Sequence, residues 1–199
     1  MLIFTKMQNK IKEIISSSIS VKQQVLQDAV ILNTMEKITN AIVDCFKNNG
    51  TVLLCGNGGS AADAQHLAAE FSGRFYKDRE PLNAEALHVN TSYLTAVAND
   101  YSFNEVYSRL VKAKGKKGDV LIALSTSGNS ANIVEAAKTA KAKEMKVIAF
   151  TGKDGGKLKE YADFLINVPS TDTRGGSTPS IFNFVKGSPV ASPLVPKYA

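Results

Sequence analysis

The residues best able to do chemistry lie in two short runs. Ser125-Thr126-Ser127-Gly128-Asn129-Ser130 packs four hydroxyls into six residues. Hydroxyls and backbone amides gathered ahead of a helix form an anion cradle suited to a phosphate monoester. Capping a helix takes one hydroxyl, so this loop holds more than a cap requires. The other run, Gly56-Asn57-Gly58-Gly59-Ser60, lets the backbone approach a ligand closely, because glycine puts no side chain in the way. The helix expected after it carries His66 and Glu70, four positions apart and so on one face, with Asp63 one turn earlier. Such a carboxylate can move a proton, and the pair supplies half of a metal-ligand set; on a solvated helix face it does neither.

Three further features are weaker. Asn99-Asp100 can hydrogen-bond sugar hydroxyls or cap the next helix. Thr151-Gly152-Lys153-Asp154-Gly155-Gly156 reads equally as a third ligand loop or a tight turn. His88 reads as structural. Gly56, Gly58 and Ala61 also fit the dinucleotide pattern G-x-G-x-x-G/A, which requires an acidic residue at the end of a second strand about twenty positions on. That region is the charged loop Lys77-Asp78-Arg79-Glu80-Pro81, so a nicotinamide enzyme is set aside.

Loops of this kind act only when a scaffold presents them together. Apolar residues recur at helical spacing from Ile11 to Phe46 and imply two amphipathic helices ahead of the first strand. Almost wholly apolar runs at 51–55 and 119–124, and the run at 146–150, read as strands buried on both faces of a parallel sheet. Weaker strands are expected at 86–89 and 163–168. Helices are expected at 60–71, 92–98, 103–113 and 131–143, with a short one after Gly156. Alternation of this kind gives a doubly wound α/β fold, a parallel sheet flanked by helices, with an N-terminal helical extension. The expected organisation is an extension over 1–50, a ligand-binding domain over 51–170 and an irregular tail over 171–199. Five of the six prolines follow Val168, where no hydrophobic period survives.

Composition excludes several classes. At 199 residues, 44% hydrophobic and 21% charged, the chain suits one soluble domain. A formal charge of +6 is spread along helices and loops with no dense basic block, which argues against nucleic acid and suits a phosphorylated substrate. Cys45 and Cys55 belong to no metal-ligand spacing and read as core residues of a cytoplasmic protein. No apolar stretch reaches the length of a membrane span and no leader pattern is present.

Taken together, Cys55-Gly56-Asn57-Gly58-Gly59-Ser60, Ala69-Glu70-Phe71-Ser72-Gly73-Arg74, Asn99-Asp100, the serine loop and the 151–156 loop resemble the phosphoheptose isomerases of the sugar isomerase (SIS) domain superfamily. The resemblance runs from the N-terminal helices to about Thr173. It implies a homotetramer, with sites between subunits, that converts sedoheptulose 7-phosphate to D-glycero-D-manno-heptose 7-phosphate for lipopolysaccharide heptose. It implies that Ser125, Thr126, Ser127 and Ser130 hold the phosphate, that Asn57, Gly58, Gly59, Asn99 and Asp100 line the sugar, and that Glu70 is the acid/base group. It also implies a divalent metal, often zinc, held by His66, Glu70 and a Gln and a His on a C-terminal helix, that His being the second acid/base. Residues 174–199 contain neither a Gln nor a His. The chain is therefore expected to keep the fold and the cradle, to hold an incomplete metal site and to turn over feebly, its tail substituted as by a shifted reading frame. The alternative from the same superfamily is a non-catalytic tetramer that binds the bacterial replication initiator.

Overall fold

Asp28 divides the N-terminal helical stretch in two. Its carboxylate accepts the backbone N–H groups of Val30 and Ile31 at 2.9 and 3.0 Å, starting α2 (Ala29–Lys47) directly after α1 (Leu2–Gln27). The computed structural model describes residues 2–73, 79–152 and 154–170, with side chains from Lys6 onward. The expectations for Arg74, Lys77, Asp78, Lys153 and the 171–199 tail lie outside the described residues. α1 begins well before the expected periodicity and is 26 residues long, about 39 Å at 1.5 Å per residue.

The remaining elements are β1 (Val52–Gly56), α3 (Gly59–Ser72), β2 (Ala84–Ala86), α4 (Thr91–Asp100), α5 (Val106–Lys114), β3 (Val120–Ser125), α6 (Ala131–Ala142), β4 (Lys146–Thr151) and β5 (Phe164–Asn167). Short 3-10 helices occupy Phe103–Glu105 and Gly156–Tyr161, so the segments expected as plain helix there are tighter than α. All strand pairs are parallel, in the order β2-β1-β3-β4-β5.

Strand alternation explains the two helix layers. Val52, Leu54, Val120, Ile122, Ile148 and Phe150 point to one face, where α2 and α3 supply Ile38, Ile42, Leu67 and Phe71. Leu53, Leu121, Ala123, Val147 and Ala149 point to the other, against Tyr107 and Val111 of α5 and Ile133, Ala136 and Ala140 of α6. The fold is thus doubly wound. Cys45 and Cys55 are free and buried in these cores; burial, with the charge of Asp119 adding to it at Cys45, pushes the thiols up to about 11 and about 12.

The edge strand departs from expectation. It forms at Ala84–Ala86 and not at 86–89, because Ala84 and Ala86 pair with Val52 and Leu54. The Leu87 N–H gives the last bond to the Leu54 carbonyl, and the Leu87 side chain then turns into the core while Val89 lies exposed. A short apolar run marks burial, which a turn entering the core satisfies as well as a strand.

Candidate functional site

In the order β2-β1-β3-β4-β5, the chain leaves β1 for α3 on one face and β3 for α6 on the other. Loops that diverge in this way open a crevice beyond the carboxyl ends of the two strands, the usual ligand position in such sheets. The glycine loop and the serine loop both stand there. They are joined by a reciprocal amide pair: Asn57 Nδ2 donates to Asn132 Oδ1 and Asn132 Nδ2 to Asn57 Oδ1, each at 2.9 Å. A second tie comes from α5, where the Tyr107 hydroxyl donates to the Gly56 carbonyl at 2.6 Å. Burial, with the Cys55 sulfur adding to it, pushes that phenol up from its ordinary value, so it stays a donor.

The hydroxyls of the serine loop are not spent on their own helix. Ser130 is the N-cap residue of α6, yet no side chain caps that helix. The Ser125 hydroxyl, almost wholly buried, donates to the Ser130 hydroxyl at 3.1 Å, and Ser127 Oγ accepts the Asn129 N–H at 3.1 Å. α3 likewise starts without a side-chain cap, at Gly58 with φ of 55°. Two helix N-termini thus flank one crevice, each bringing backbone donors and the positive end of a dipole.

The 151–156 segment backs the serine loop. The Gly152 N–H donates to the Thr126 carbonyl at 2.8 Å, the Leu158 N–H to the Gly128 carbonyl at 2.9 Å, and the Lys157 N–H to Asn129 Oδ1 at 3.1 Å. Gly128 has φ of 64°, and a side chain there would overlap the Gly155 carbonyl. Only glycine permits this approach of two loops.

Glu70 and His66 occupy the far part of α3. His66 Nε2 and Glu70 Oε1 are 3.0 Å apart, with the side chains 54% and 23% exposed. Arg79 clamps the end of the helix, its guanidinium donating to the carbonyls of Glu70 at 3.0 Å and Phe71 at 2.9 Å. The Leu82 N–H also bonds the Phe71 carbonyl, just before β2 begins beside the start of β1. This end of α3 therefore lies at the amino edge of the strands, and helix rise alone separates Glu70 from Gly59 by roughly 16 Å.

One chain brings together Asn57, Gly58, Gly59, Ser125, Thr126, Ser127 and Ser130, and holds His66 and Glu70 apart from them. Asn99 and Asp100 are the exposed last residues of α4, Asn99 Nδ2 donating to the Asp100 carboxylate at 2.9 Å. They do not cap the turn that follows; Ser102 does, accepting the Asn104 N–H at 3.1 Å. His88 is half-buried, its Nδ1 has no hydrogen-bond partner among the described residues and burial lowers its pKa.

The model of the SIS domain family matches residues 15–152. Phosphoheptose isomerase of Mycobacterium tuberculosis is 51% identical over 162 residues, spanning 81% of this chain and 83% of that protein. Its namesake in Clostridium acetobutylicum is 51% identical over 167 residues, spanning 84% and 85%. The chain belongs to the phosphoheptose isomerase family of SIS-domain proteins. A solved phosphoheptose isomerase from Neisseria gonorrhoeae superposes with a TM-score of 0.85 at 40% identity, over 94% of this chain and all (100%) of that one. One from Francisella tularensis gives 0.85 at 34% identity, over 92% and 95%.

The metal that this family resemblance implies does not find a closed shell here. His66 and Glu70 offer two donor groups, and these bond to each other. Among the described residues no three His, Cys, Asp or Glu side chains come together, and residues 174–199 supply no further His or Gln. A zinc shell takes four donors, three of them from protein even in open sites. The residues present fall short of that set, and no chemical step below passes through a metal.

Asn132, Tyr107 and Arg79 escaped sequence reasoning. The signal for Asn132 was an amide in the first turn of a helix whose neighbours Ile133, Ala136 and Ala137 are apolar. Tyr107 and Arg79 carried none, since each acts on backbone carbonyls, which no residue type marks.

Proposed function

We propose that this chain is the subunit of an aldose–ketose isomerase that takes sedoheptulose 7-phosphate to D-glycero-D-manno-heptose 7-phosphate, in the supply of lipopolysaccharide heptose. The observation that carries this reading is the serine loop, whose hydroxyls leave α6 uncapped and stand at the β1/β3 crevice. Ser125, Thr126, Ser127 and Ser130 would hold the phosphate together with the α6 amides. Asn57, Gly58, Gly59, Asn99 and Asp100 would line the sugar, and Glu70 would be the catalytic acid/base.

The chemistry needs two proton carriers. A carboxylate takes the proton from C1 of the ketose while the C2 carbonyl oxygen gains one, giving the enediol. Returning the carbon proton to C2 while the C1 hydroxyl loses its proton yields the aldehyde. Glu70 can serve the carbons. The oxygens need the second group, which the family resemblance assigns to a C-terminal His, and the tail has none. Solvent must then carry the oxygen protons, and turnover falls.

One chain carries Glu70 toward the far end of α3 from the glycine loop, so the reading takes the carboxylate from a second copy, as the sites between subunits implied by the family resemblance would have it. α1 supports this. Ile11, Ile14, Ile15 and Ile19, which share one face at a helical spacing, are each about half exposed, and Leu26 near the end of α1 and Val30 at the start of α2 are 69% and 75% exposed. A continuous apolar stripe of this kind marks an association surface, and a homotetramer would cover it. No described helix is long and apolar enough to cross a membrane, which fits the proposed cytoplasmic setting.

The test is a combined assay of binding and turnover with sedoheptulose 7-phosphate. Saturable binding is expected, with a rate constant well below the 1–10³ s⁻¹ typical of enzymes, and Glu70→Gln is expected to lower the residual rate by about 10²–10⁴-fold. A rate within that ordinary range, abolished by Glu70→Gln, would show that the missing His is dispensable. The missing His also suits the non-catalytic alternative. Capture of the replication initiator, with no turnover at all, would decide for it.

A further inference from the structure

We infer that Asn132 is a positioning residue: its amide locks the glycine loop to the phosphate-binding helix, so that a ligand held by its phosphate meets a sugar loop already in place. The inference rests on the sugar-phosphate reading above and assigns a role to a residue outside that site.

Four observations support it. Asn132 sits in the first turn of α6 and is 2% exposed, a place where a polar side chain must be satisfied from within. It finds no partner on its own helix and crosses the crevice to Asn57, 75 residues earlier, with two 2.9 Å bonds. The other ties of the glycine loop are to its backbone, from Tyr107 at Gly56 and from the first turn of α3, while Gly58 and Gly59 are exposed with no atom within 4 Å of where a side chain would begin on either. Finally, the pair engages Asn57 Oδ1 and one of its amide hydrogens. That leaves the Asn57 side chain one N–H and one Oδ1 lone pair for the sugar, held in a fixed orientation by the clasp.

The expected consequence separates two ligands. Inorganic phosphate needs only the serine loop and the α6 amides, whereas sedoheptulose 7-phosphate also needs the glycine loop. Losing the clasp leaves that loop to be ordered at the moment of binding, which weakens the second ligand selectively.

Titration of the full chain with each ligand tests this. In Asn132→Ala, affinity for sedoheptulose 7-phosphate is expected to fall about tenfold while that for inorganic phosphate changes less than about twofold. Asn57→Ala removes the same clasp from the loop side and is expected to give the same selective loss, even if Asn132→Ala folds poorly. The double variant is expected to be no worse than Asn57→Ala alone, as for two halves of one interaction. Equal weakening of both ligands, or additive losses in the double variant, would overturn the clasp. Wild-type chain that binds neither ligand would instead overturn the phosphate reading itself, so the two failures are distinguishable.

Discussion

The two ends of α3 differ in how completely one chain finishes them. At its start, the glycine loop is tied to α6 through Asn132 and to α5 through Tyr107, and the serine loop beside it is backed by the 151–156 segment. At its far end, Glu70 pairs with His66, one turn away on the same helix, while Arg79 holds the backbone beneath it. The proposed anion-binding half is thus tied together within a single chain. On the same reading, the proposed proton-moving half takes its ligand from a second copy.

That contrast is most strongly tested at α1. Replacing Ile14 and Ile19 with Glu puts charges on the exposed stripe, and should turn the proposed assembly into monomers that lose nearly all residual turnover. Affinity for inorganic phosphate should stay within about twofold, as sedimentation and titration can show together. Loss of phosphate binding in a folded monomer would mean that the anion half also depends on a neighbour.

Tyr107→Phe tests the tie at the other end. It leaves the buried Gly56 carbonyl without its donor, at a cost of about 1–3 kcal/mol in chemical denaturation, and should loosen the sugar loop without touching Glu70.

A smaller effect belongs to Asp163, at the edge of the sheet away from both regions. Burial works to raise its pKa, but hydrogen bonds from Lys141 and the Val147 N–H, with the charges of Lys141 and Lys146, outweigh it and hold the carboxyl below the usual range. The unfolded chain thus takes up the proton first as pH falls. Asp163 stabilises the fold above about pH 4, and that contribution is lost as pH drops through the native value. Asp163→Asn should cost about 1 kcal/mol at pH 7, with the deficit shrinking below about pH 4 in denaturation curves; a deficit that grows with acidity would contradict the assignment.

The layering was legible because β1, β3 and β4 are apolar on both faces, a pattern that only a sheet covered by helices on each side can satisfy. The two candidate ligand loops could be located for a related reason, since glycines and hydroxyls directly after such strands have few structural uses. β2 was misplaced by two residues because Leu87 is buried in a turn, and burial is all that its apolar character records. Asn99-Asp100 looked like a cap and proved to be the end of α4, a boundary that Ser102 sets from the next turn. What sequence could not show was the junction itself. Asn57 and Asn132 meet only because parallel strands bring two loops 75 residues apart to one edge.

The most direct test of the anion half is a phosphorus NMR titration with sedoheptulose 7-phosphate, comparing wild-type chain with the Ser125→Ala/Ser130→Ala variant. Saturable binding in the wild type and a loss of at least about tenfold in the variant are expected, from two hydroxyls worth about 1 kcal/mol or more each. Equal affinity in the two proteins would show that these hydroxyls do not hold the phosphate, and would contradict the account at its base.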